Sequence, residues 1–218
     1  MGYKAVIAGS SGLVGSELLK LLLEDNHYDE VLILVRKYLP IQHKKLVQLQ
    51  VDFDALSKHK SVITGHAIFC CLGSTKKKTP DMKVYKKIDH DYPLQLAEIA
   101  AKNNVPHYHL ISALGANPAS SNFYSKMKGE TERDIQLAGI RSLHIYQPSL
   151  LTGNRSEHRL AETIAAAIMK FINPLLIGGL NKYKSIAAGT VASAMLKQSL
   201  NQEEGVFVHP SHHIKQLA

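Results

Sequence analysis

The feature that most constrains the fold is a glycine-spaced stretch close to the amino terminus. A short apolar run at residues 4–8 is followed by Gly9, Gly12 and Gly15, and an apolar-periodic segment continues to Leu22. The first glycine permits a tight turn, the second lets the backbone approach a ligand closely, and the third lets a helix pack against a strand. The N-terminal N–H groups of that helix would face an anion. The stretch therefore predicts a strand, a phosphate-binding turn and a helix.

The spacing of this turn, Gly-x-x-Gly-x-x-Gly, differs from the better-known Gly-x-Gly-x-x-Gly of dinucleotide-binding proteins. Three glycines alone are a weak signal, because glycine-rich turns also have purely structural roles. Their position between a first strand and a long helix favours a dinucleotide site. The residues expected to contact the cofactor here are Gly9, Ser10, Ser11, Gly12, Leu13 and Val14.

Strand and helix patterns alternate along the rest of the chain. The apolar run at residues 31–35 is typical of a strand buried on both faces of a parallel sheet. Further strands are predicted at residues 46–51, 67–72, 108–112, 143–146 and 205–208, and helices at 85–103, 125–138, 157–172 and 189–200. With a helix between successive strands and right-handed crossovers, the pattern predicts an α/β, doubly wound (Rossmann) parallel sheet. It would have about seven strands and helices on both faces.

The length and composition favour a single domain. A chain of 218 residues with 45% hydrophobic and 20% charged residues is of ordinary globular composition. We expect one domain over residues 1–218, with a cofactor core at 1–150 and a small C-terminal helical substrate lobe, including the last strand, at 151–218. Charged and helix-breaking residues interrupt the apolar stretch at 160–180, so no membrane insertion is expected. The helix at 157–172 could form a dimer face or a substrate lid, and monomer and homodimer both remain open.

The charge and the cysteines limit the partners and the compartment. A formal charge of +8 allows binding to nucleic acid, but the lysines are scattered apart from residues 76–78 and 83–87. A solvated basic surface that attracts a polyanionic cofactor accounts for them, and no nucleic-acid partner is expected. Cys70 and Cys71 are neighbours in a predicted strand and point to opposite faces, so they do not form a disulfide. Without the pattern of a secretory signal, the expected location is cytoplasmic.

The residues at the end of the second predicted strand bear on cofactor choice. An NAD site usually has Asp or Glu there, whereas this chain has Arg36 and Lys37. A guanidinium matches the 2′-phosphate of NADP, so NADP(H) is expected in preference to NAD(H). The alternative is an ordinary surface arginine. Asp52 and Phe53 close the third strand, where adenine would lie, although a loop aspartate and a core phenylalanine explain them equally well.

The end of the fourth strand provides further expected cofactor contacts, at Cys71, Leu72 and Gly73. Gly73 would allow close backbone contact, and no base beside Cys71 would make it a nucleophile. His107 and His109 lie on one face of a predicted strand. No third metal ligand lies nearby in sequence, so an ordinary histidine pair is expected and no metal site.

A candidate catalytic group is formed by Ser112, Tyr124 and Lys128. A Tyr-x-x-x-Lys pattern is expected about once by chance in a chain of this composition, so its position carries the argument. Ser112 ends the fifth strand, and Tyr124 and Lys128 open the next helix, one turn apart on one face. An ammonium group there would stabilise the phenolate. We expect Tyr124 as general acid and base, Lys128 as its tuner and a ribose ligand, and Ser112 as a donor to a carbonyl. The alternative is an exposed tyrosine on a lysine-rich helix.

These motifs together resemble the short-chain dehydrogenase/reductases. The resemblance is to their atypical NADPH-binding branch, the group typified by the human Tat-interacting protein oxidoreductase. It covers essentially the whole chain. It rests on Gly9-x-x-Gly12-x-x-Gly15, Arg36, Cys71-Leu72-Gly73, Asp89-His90-Asp91-Tyr92, Ser112, Tyr124-x-x-x-Lys128 and Gln147-Pro148-Ser149.

The resemblance implies a strand order of 3-2-1-4-5-6-7 and a nicotinamide over the corner formed by Ser112, Tyr124 and Lys128. It also places Ile111, Pro148 and Leu150 among the cofactor contacts. Many members carry Asn in a proton relay where this chain has Asp89, which puts that relay in doubt. The short C-terminal lobe leaves less room for a nucleotide sugar than extended members have.

The expected function is therefore an NADPH-dependent oxidoreductase that transfers hydride to a small carbonyl substrate, with Tyr124 as general acid. The alternative is a non-catalytic NADPH-binding regulator that senses redox state and acts through a protein partner. Nucleic-acid binding by the basic surface is the third hypothesis.

Overall fold

Seven parallel strands form one sheet in the computed structural model, which describes residues 2–153 and 184–218. In chain order the strands are β1 (Tyr3–Ala8), β2 (Tyr28–Val35), β3 (Leu46–Gln50), β4 (Ala67–Cys70), β5 (His107–Ile111), β6 (Ser142–Gln147), β7 (Leu151–Thr152), β8 (Ile186–Ala187) and β9 (Gly205–Pro210). The sheet order is β3-β2-β1-β4-β5-β6-β9, and β7 pairs with β8 in a separate short ribbon. The doubly wound fold and the expected strand order are confirmed, with β9 as the seventh strand of the sheet.

The described helices are α1 (Leu13–Glu24), α2 (Met82–Lys86), α3 (Tyr92–Lys102), α4 (Phe123–Gln136), α5 (Ala188–Ser199) and α6 (Ser211–Leu217). The helix predicted at 85–103 instead begins at Met82, where the Asp81 carboxylate accepts hydrogen bonds from backbone N–H groups. A turn of π-helix, Lys87–Asp91, joins α2 to α3. In the same way α4 begins before the predicted residue 125, because the Asn122 side chain caps it.

The expected alternation of strand and helix is wrong at two places. A loop joins β2 to β3, and a short 3-10 helix, Phe53–His59, stands between β3 and β4. The loop contains Pro40, which lacks the N–H that a helix interior needs. The sheet nevertheless keeps its parallel order. The loop leads to the neighbouring strand β3, whereas the chain between β3 and β4 crosses past β2 and β1 to the other side of β1.

Two apolar layers cover the sheet. On one face, Ile7 and Phe69 pack with Leu18 of α1 and Val191 of α5, and all four are fully buried. On the other face a second cluster contains residues of α3 and α4. The helix predicted at 189–200 is α5, which lies against α1 in this core. The predicted helix at 157–172 lies outside the described residues. Within residues 2–153 and 184–218, no helix is long and apolar enough to cross a bilayer.

A row of buried histidines crosses the sheet on the α5 side. His109 of β5 stacks on His144 of β6 at 4.8 Å between ring centroids, and His144 stacks on His209 of β9 at 5.2 Å. A hydrogen bond of 2.9 Å joins His144 Nδ1 to His209 Nε2. Burial lowers the pKa of His144 to about 3 and that of His209 to about 4. Among the described residues, no group of three ligands could hold a metal ion.

Candidate functional site

The glycine-rich turn between β1 and α1 is closed by backbone contacts that exclude side chains. Gly9 adopts φ +88°, and a Cβ there would lie 2.6 Å from the carbonyl oxygen of Cys71. A Cβ on Gly15 would lie 2.2 Å from the carbonyl oxygen of Gly9. Gly12 N donates to that same oxygen at 2.9 Å. The turn therefore needs glycine at its first and third positions to lie this close to the sheet.

Ser10 in this turn carries a buried hydroxyl without a partner. The residue is 2% exposed, and its Oγ has no hydrogen-bond partner among the described residues. It lies two residues before Gly12, the N-cap of α1, which offers no side-chain oxygen to the first turn. Buried hydroxyls are usually bonded, and helix N-termini bind phosphate. The turn therefore fits a diphosphate, which would accept from Ser10 and from the N-terminal N–H groups of α1.

The end of β2 presents two cations to solvent. Arg36 and Lys37 follow the last residue of β2, and both are exposed. The Gln50 side-chain amide donates to the Arg36 carbonyl oxygen at 3.2 Å and joins the ends of β3 and β2. The predicted cations thus lie at the carboxyl edge of the sheet, beside β1 and its turn. Their chemistry fits a phosphate group on the adenosine ribose.

Asp52 and Phe53 have structural roles at the end of β3. The Asp52 carboxylate accepts a hydrogen bond of 2.9 Å from the backbone N–H of Asp54 and so caps the short 3-10 helix. Phe53 is 7% exposed, and its ring centroid lies 5.6 Å from that of Tyr92. For Phe53 in particular, the structure agrees with the alternative of a core residue.

The chain leaves β4 next to the glycine-rich turn. Cys71 N donates to the carbonyl oxygen of Ala8 at 2.8 Å, and Leu72 and Gly73 follow in the chain. Burial raises the pKa of the Cys71 thiol well above its ordinary value. This agrees with the expectation that Cys71 is not a nucleophile. A Cβ on Gly73 would lie 3.6 Å from Asp89 Oδ1, so Gly73 adjoins the next part of the site.

Lys128 forms an ion pair with Asp89, which the sequence patterns did not predict. Its Nζ lies 2.9 Å from Asp89 Oδ1, and both side chains are buried. The other oxygen, Asp89 Oδ2, accepts from Ser74 N at 2.7 Å. Burial favours the neutral amine, but the nearby charges, chiefly that of Asp89, outweigh it and raise the pKa of Lys128. Lys128 therefore stays an ammonium group inside the protein.

Tyr124 lies in the first turn of α4 and is 40% exposed. It borders an open cavity of about 500 Å³. The other residues that line this cavity are Ala113, Leu114, Gly115, Pro148, Ser149 and Leu150. Leu114 N donates to the carbonyl oxygen of Pro148 at 3.0 Å, so the loops after β5 and β6 form one wall. Tyr124, Pro148 and Leu150, which the sequence predicted separately, thus share one cavity.

Ser112 follows Ile111, the last residue of β5, and points toward a buried carboxyl group. Its hydroxyl donates a short hydrogen bond to Glu132 Oε1. Gln147 Nε2 donates to both oxygens of Glu132, at 3.0 Å each. The predicted role of Ser112 as a donor to a carbonyl is therefore not the arrangement of this structure, because its hydrogen is directed at Glu132.

Glu132 is a residue of the site that the sequence patterns did not single out. It lies one further turn along α4 from Lys128, so the signal was a Tyr-x-x-x-Lys-x-x-x-Glu spacing on one helix face. Burial raises the pKa of Glu132, although hydrogen bonds from Ser112 and Gln147 and the charge of Lys128 oppose this rise.

All these groups lie at the carboxyl edge of one parallel sheet, around a glycine-rich turn. That arrangement defines the class of doubly wound, dinucleotide-binding proteins. The sequence model of the NAD(P)H-binding family matches residues 9–165. The chain belongs to this family.

The relatives agree with the resemblance found in the sequence. "Protein HTATIP2" of Rattus norvegicus is 32% identical over 203 residues, which cover 91% of this chain and 82% of the relative. "Protein FMP52, mitochondrial" of Saccharomyces cerevisiae is 32% identical over 158 residues, which cover 71% of this chain and 68% of the relative. The expected membership of the atypical short-chain dehydrogenase/reductases is confirmed.

Solved structures show the same fold at low sequence identity. The enzyme WbmH of Bordetella bronchiseptica, solved in complex with NAD+, has a TM-score of 0.73 and 17% identity. The match covers 97% of this chain and 76% of that chain. A UDP-N-acetylglucosamine 4-epimerase of Methanobrevibacter ruminantium has a TM-score of 0.70 and 17% identity. This match covers 96% of this chain and 76% of the epimerase chain. At this identity the likeness extends to the fold alone.

The expected cytoplasmic location is contradicted by these relatives, because the FMP52 proteins of several yeasts are named mitochondrial. The expectation rested on the absence of a secretory signal-peptide pattern. Mitochondrial import uses amphipathic, Arg-rich and Ser-rich signals of a different kind, so that criterion could not distinguish the two compartments.

Proposed function

We propose that this chain is an NADPH-dependent oxidoreductase that reduces a small carbonyl compound, with Tyr124 as the proton donor. The observation that carries the proposal is the position of Tyr124. Its side chain borders the cavity at the carboxyl edge of the sheet, and Lys128 lies one turn further along the same helix. Bound NADPH would supply the hydride, and the protein would supply the proton.

The binding residues support this cofactor. The turn at Gly9 and Gly15 lets a diphosphate approach the backbone, and the unpartnered hydroxyl of Ser10 provides a donor. Arg36 and Lys37 are exposed cations where the ribose phosphate of NADP would lie, which supports NADP(H) over NAD(H). With these groups holding the adenosine end, the nicotinamide end would reach toward Tyr124 and Pro148.

Lys128 supports the role of Tyr124 in two ways. An ammonium group on the same face stabilises the phenolate that remains after proton donation. Because Asp89 Oδ1 holds the ammonium group at 2.9 Å, the position of that group does not depend on a bound ligand. The open cavity of about 500 Å³ suits a small substrate.

The experiment is the replacement Tyr124→Phe, measured by NADPH oxidation with benzaldehyde as a probe substrate. We expect kcat to fall by about 10² to 10⁴ while NADPH affinity is unchanged, because only the proton donor is lost. Tyr38→Phe is the matched control, since Tyr38 is an exposed tyrosine in the loop after β2. Turnover by Tyr124→Phe equal to that of the wild type would reject the role of Tyr124.

A second candidate function is a non-catalytic NADPH-binding regulator that acts through a protein partner. The observation that favours it is that two of the three candidate catalytic groups already bind carboxylates, Lys128 to Asp89 and Ser112 to Glu132. It predicts no NADPH oxidation with a panel of aldehydes, ketones and quinones. It also predicts a partner whose affinity differs between the NADPH-bound and free forms of the chain. Oxidation of NADPH with any member of the panel would favour the enzyme.

A further inference from the structure

A buried carboxyl group at Glu132 lies directly behind Ser112. Glu132 is 8% exposed and Ser112 is 5% exposed. Oε1 of Glu132 accepts the hydrogen of Ser112, and both of its oxygens accept from the Gln147 amide. Ser112 is followed at once by Ala113, which lines the cavity beside Tyr124. A titratable group is therefore hydrogen-bonded to the hydroxyl of a residue that adjoins the cavity wall in sequence.

We propose that Glu132 is a positioning residue which determines whether Ser112 accepts or donates a hydrogen bond at the cavity. This inference rests on the proposed function. While Glu132 is ionised, the Ser112 hydrogen points away from the cavity, and only the Ser112 lone pairs are available to a ligand hydroxyl. When Glu132 is protonated, it donates to Ser112 Oγ, and the Ser112 hydrogen becomes available to a carbonyl oxygen.

The proton balance of this switch is simple. One proton from solvent adds to Glu132 Oε1, and the O–H bond of Ser112 rotates about Cβ–Oγ without breaking. A hydroxyl can accept and donate at the same time, so Ser112 keeps its bond to Glu132 in both states. Gln147 keeps its hydrogen bond to Oε2, which accepts the Gln147 amide in either state. Protonation therefore changes the direction of one hydrogen bond and leaves the packing in place.

Within the described part of the chain, the polar groups that act on Glu132 lie in β6 and α4 and directly after β5. Ser112 follows β5, Gln147 ends β6, and Lys128 lies one turn earlier on α4. The two hydrogen bonds and the Lys128 charge favour the carboxylate, whereas burial favours the acid and raises the pKa of Glu132 overall. Proton uptake is therefore expected at a higher pH than for an exposed glutamate. Carbonyl reduction should benefit as the pH falls through that range.

The first experiment measures the titration of Glu132 itself and needs no substrate. The Glu132 carboxyl is followed by ¹³C NMR in glutamate-labelled protein, with Glu132→Gln to assign its signal. In Ser112→Ala the midpoint should move to higher pH, because the ionised form loses a donor. Thr131→Val is the matched control, since the Thr131 hydroxyl is also buried on α4 but donates to Met127 O and Asp89 O. An unchanged midpoint in Ser112→Ala would overturn the proposal.

The second experiment measures the pH dependence of kcat/KM for benzaldehyde reduction in Glu132→Gln. The glutamine oxygen can accept from Gln147 while its amide nitrogen donates to Ser112 Oγ, which fixes Ser112 as a donor. On the acid side of the profile, we expect the kcat/KM of Glu132→Gln to vary by no more than about twofold with pH. Its value should equal the one that the wild type reaches only at low pH. A uniform loss at every pH, with the wild-type profile kept, would indicate a structural role and contradict the proposal.

The two experiments separate this inference from the proposed function. If no variant and no wild-type sample oxidises NADPH with any probe, the proposed function fails. The NMR titration still decides whether Glu132 and Ser112 are coupled. If turnover is present but the titration of Glu132 does not respond to Ser112, the proposed function stands and the positioning role fails.

Discussion

Lys128 and Asp89 form a buried ion pair, with 2.9 Å between Nζ and Oδ1 and side chains that are 6% and 1% exposed. Asp89 lies in the turn of π-helix between α2 and α3, and Lys128 lies on α4. The pair therefore joins the helix after β4 to the helix that carries Tyr124. The carboxylate of Asp89 balances the ammonium charge of Lys128.

Removing either partner of this pair should destabilise the protein. Asp89→Asn leaves the buried ammonium group of Lys128 without its counter-charge, and Lys128→Met leaves the buried carboxylate of Asp89 without its own. Each variant should lower the free energy of unfolding by about 3 to 5 kcal/mol. The double variant should lose less than the sum of the two, because neither charge is then left alone. Urea unfolding of the wild type, both single variants and the double variant measures this coupling.

The control for that cycle is the exposed pair of Lys87 and Asp54, at 2.8 Å. Lys87→Met should change the free energy of unfolding far less than either variant of the buried pair, because solvent screens exposed pairs. Strict additivity of Asp89→Asn and Lys128→Met would show that the buried pair is not coupled.

Arg36→Ala should reduce the preference for NADP(H) over NAD(H). If the guanidinium binds the 2′-phosphate, its loss weakens NADPH binding by about tenfold or more and leaves NADH binding nearly unchanged. The two affinities are measured by fluorescence titration of the reduced cofactors. Arg141→Ala is the control, because Arg141 is an exposed arginine at the opposite, amino end of β6. Equal loss for both cofactors would contradict a specific phosphate contact.

Gly15→Ala should disrupt the turn between β1 and α1. Its Cβ would lie 2.2 Å from the carbonyl oxygen of Gly9, so the helix must move away from the strand. We expect a lower thermal midpoint and weaker NADPH binding in the same variant. Gly189→Ala, near the start of α5, has its nearest neighbour at 4.0 Å and should keep or raise stability. If Gly15→Ala matched Gly189→Ala in both measurements, the packing argument for the turn would fail.

The buried histidines should make stability fall in acid. Burial, with the nearby charges of His66 and Arg141, lowers the pKa of His107 to about 4 from its ordinary 6.5. The His107 imidazole therefore takes up a proton below about pH 6.5 in the unfolded chain, but only below about pH 4 in the folded chain. The contribution of His107 to the free energy of unfolding is fully present above about pH 6.5, and it decreases as the pH falls from about 6.5 to about 4. Urea unfolding between pH 8 and pH 5 measures the slope.

His107→Phe should make this slope shallower by about 1 kcal/mol for each pH unit within the window. The replacement also removes His107 Nδ1, a buried nitrogen that has no hydrogen-bond partner among the described residues. His212→Phe, at an exposed position of α6, should leave the slope unchanged. A His107→Phe slope equal to that of the wild type would mean that His107 is not one of the groups responsible.

Local patterns were sufficient for most of the fold. The glycine-rich turn was predictable because its glycine spacing, between an apolar run and an amphipathic segment, is a local pattern, and the positive φ of Gly9 and the contact of Gly15 with Gly9 both lie within it. The buried strands were predictable because an apolar run such as residues 31–35 has one stable environment in an α/β protein. Helix boundaries were less accurate, since the caps at Asp81 and Asn122 extend the helices beyond their apolar patterns.

The sequence by itself determined the fold class, the family, and the positions of Tyr124 and Lys128 on one helix face. Only the tertiary structure decided which groups those residues meet. Asp89 binds Lys128 and Glu132 binds Ser112, and the two residues of each pair are far apart in sequence. A buried carboxylate needs a hydrogen-bond donor, and tertiary packing decides which donor lies beside it. The same holds for the histidine row, whose members come from separate strands that only the sheet order places side by side.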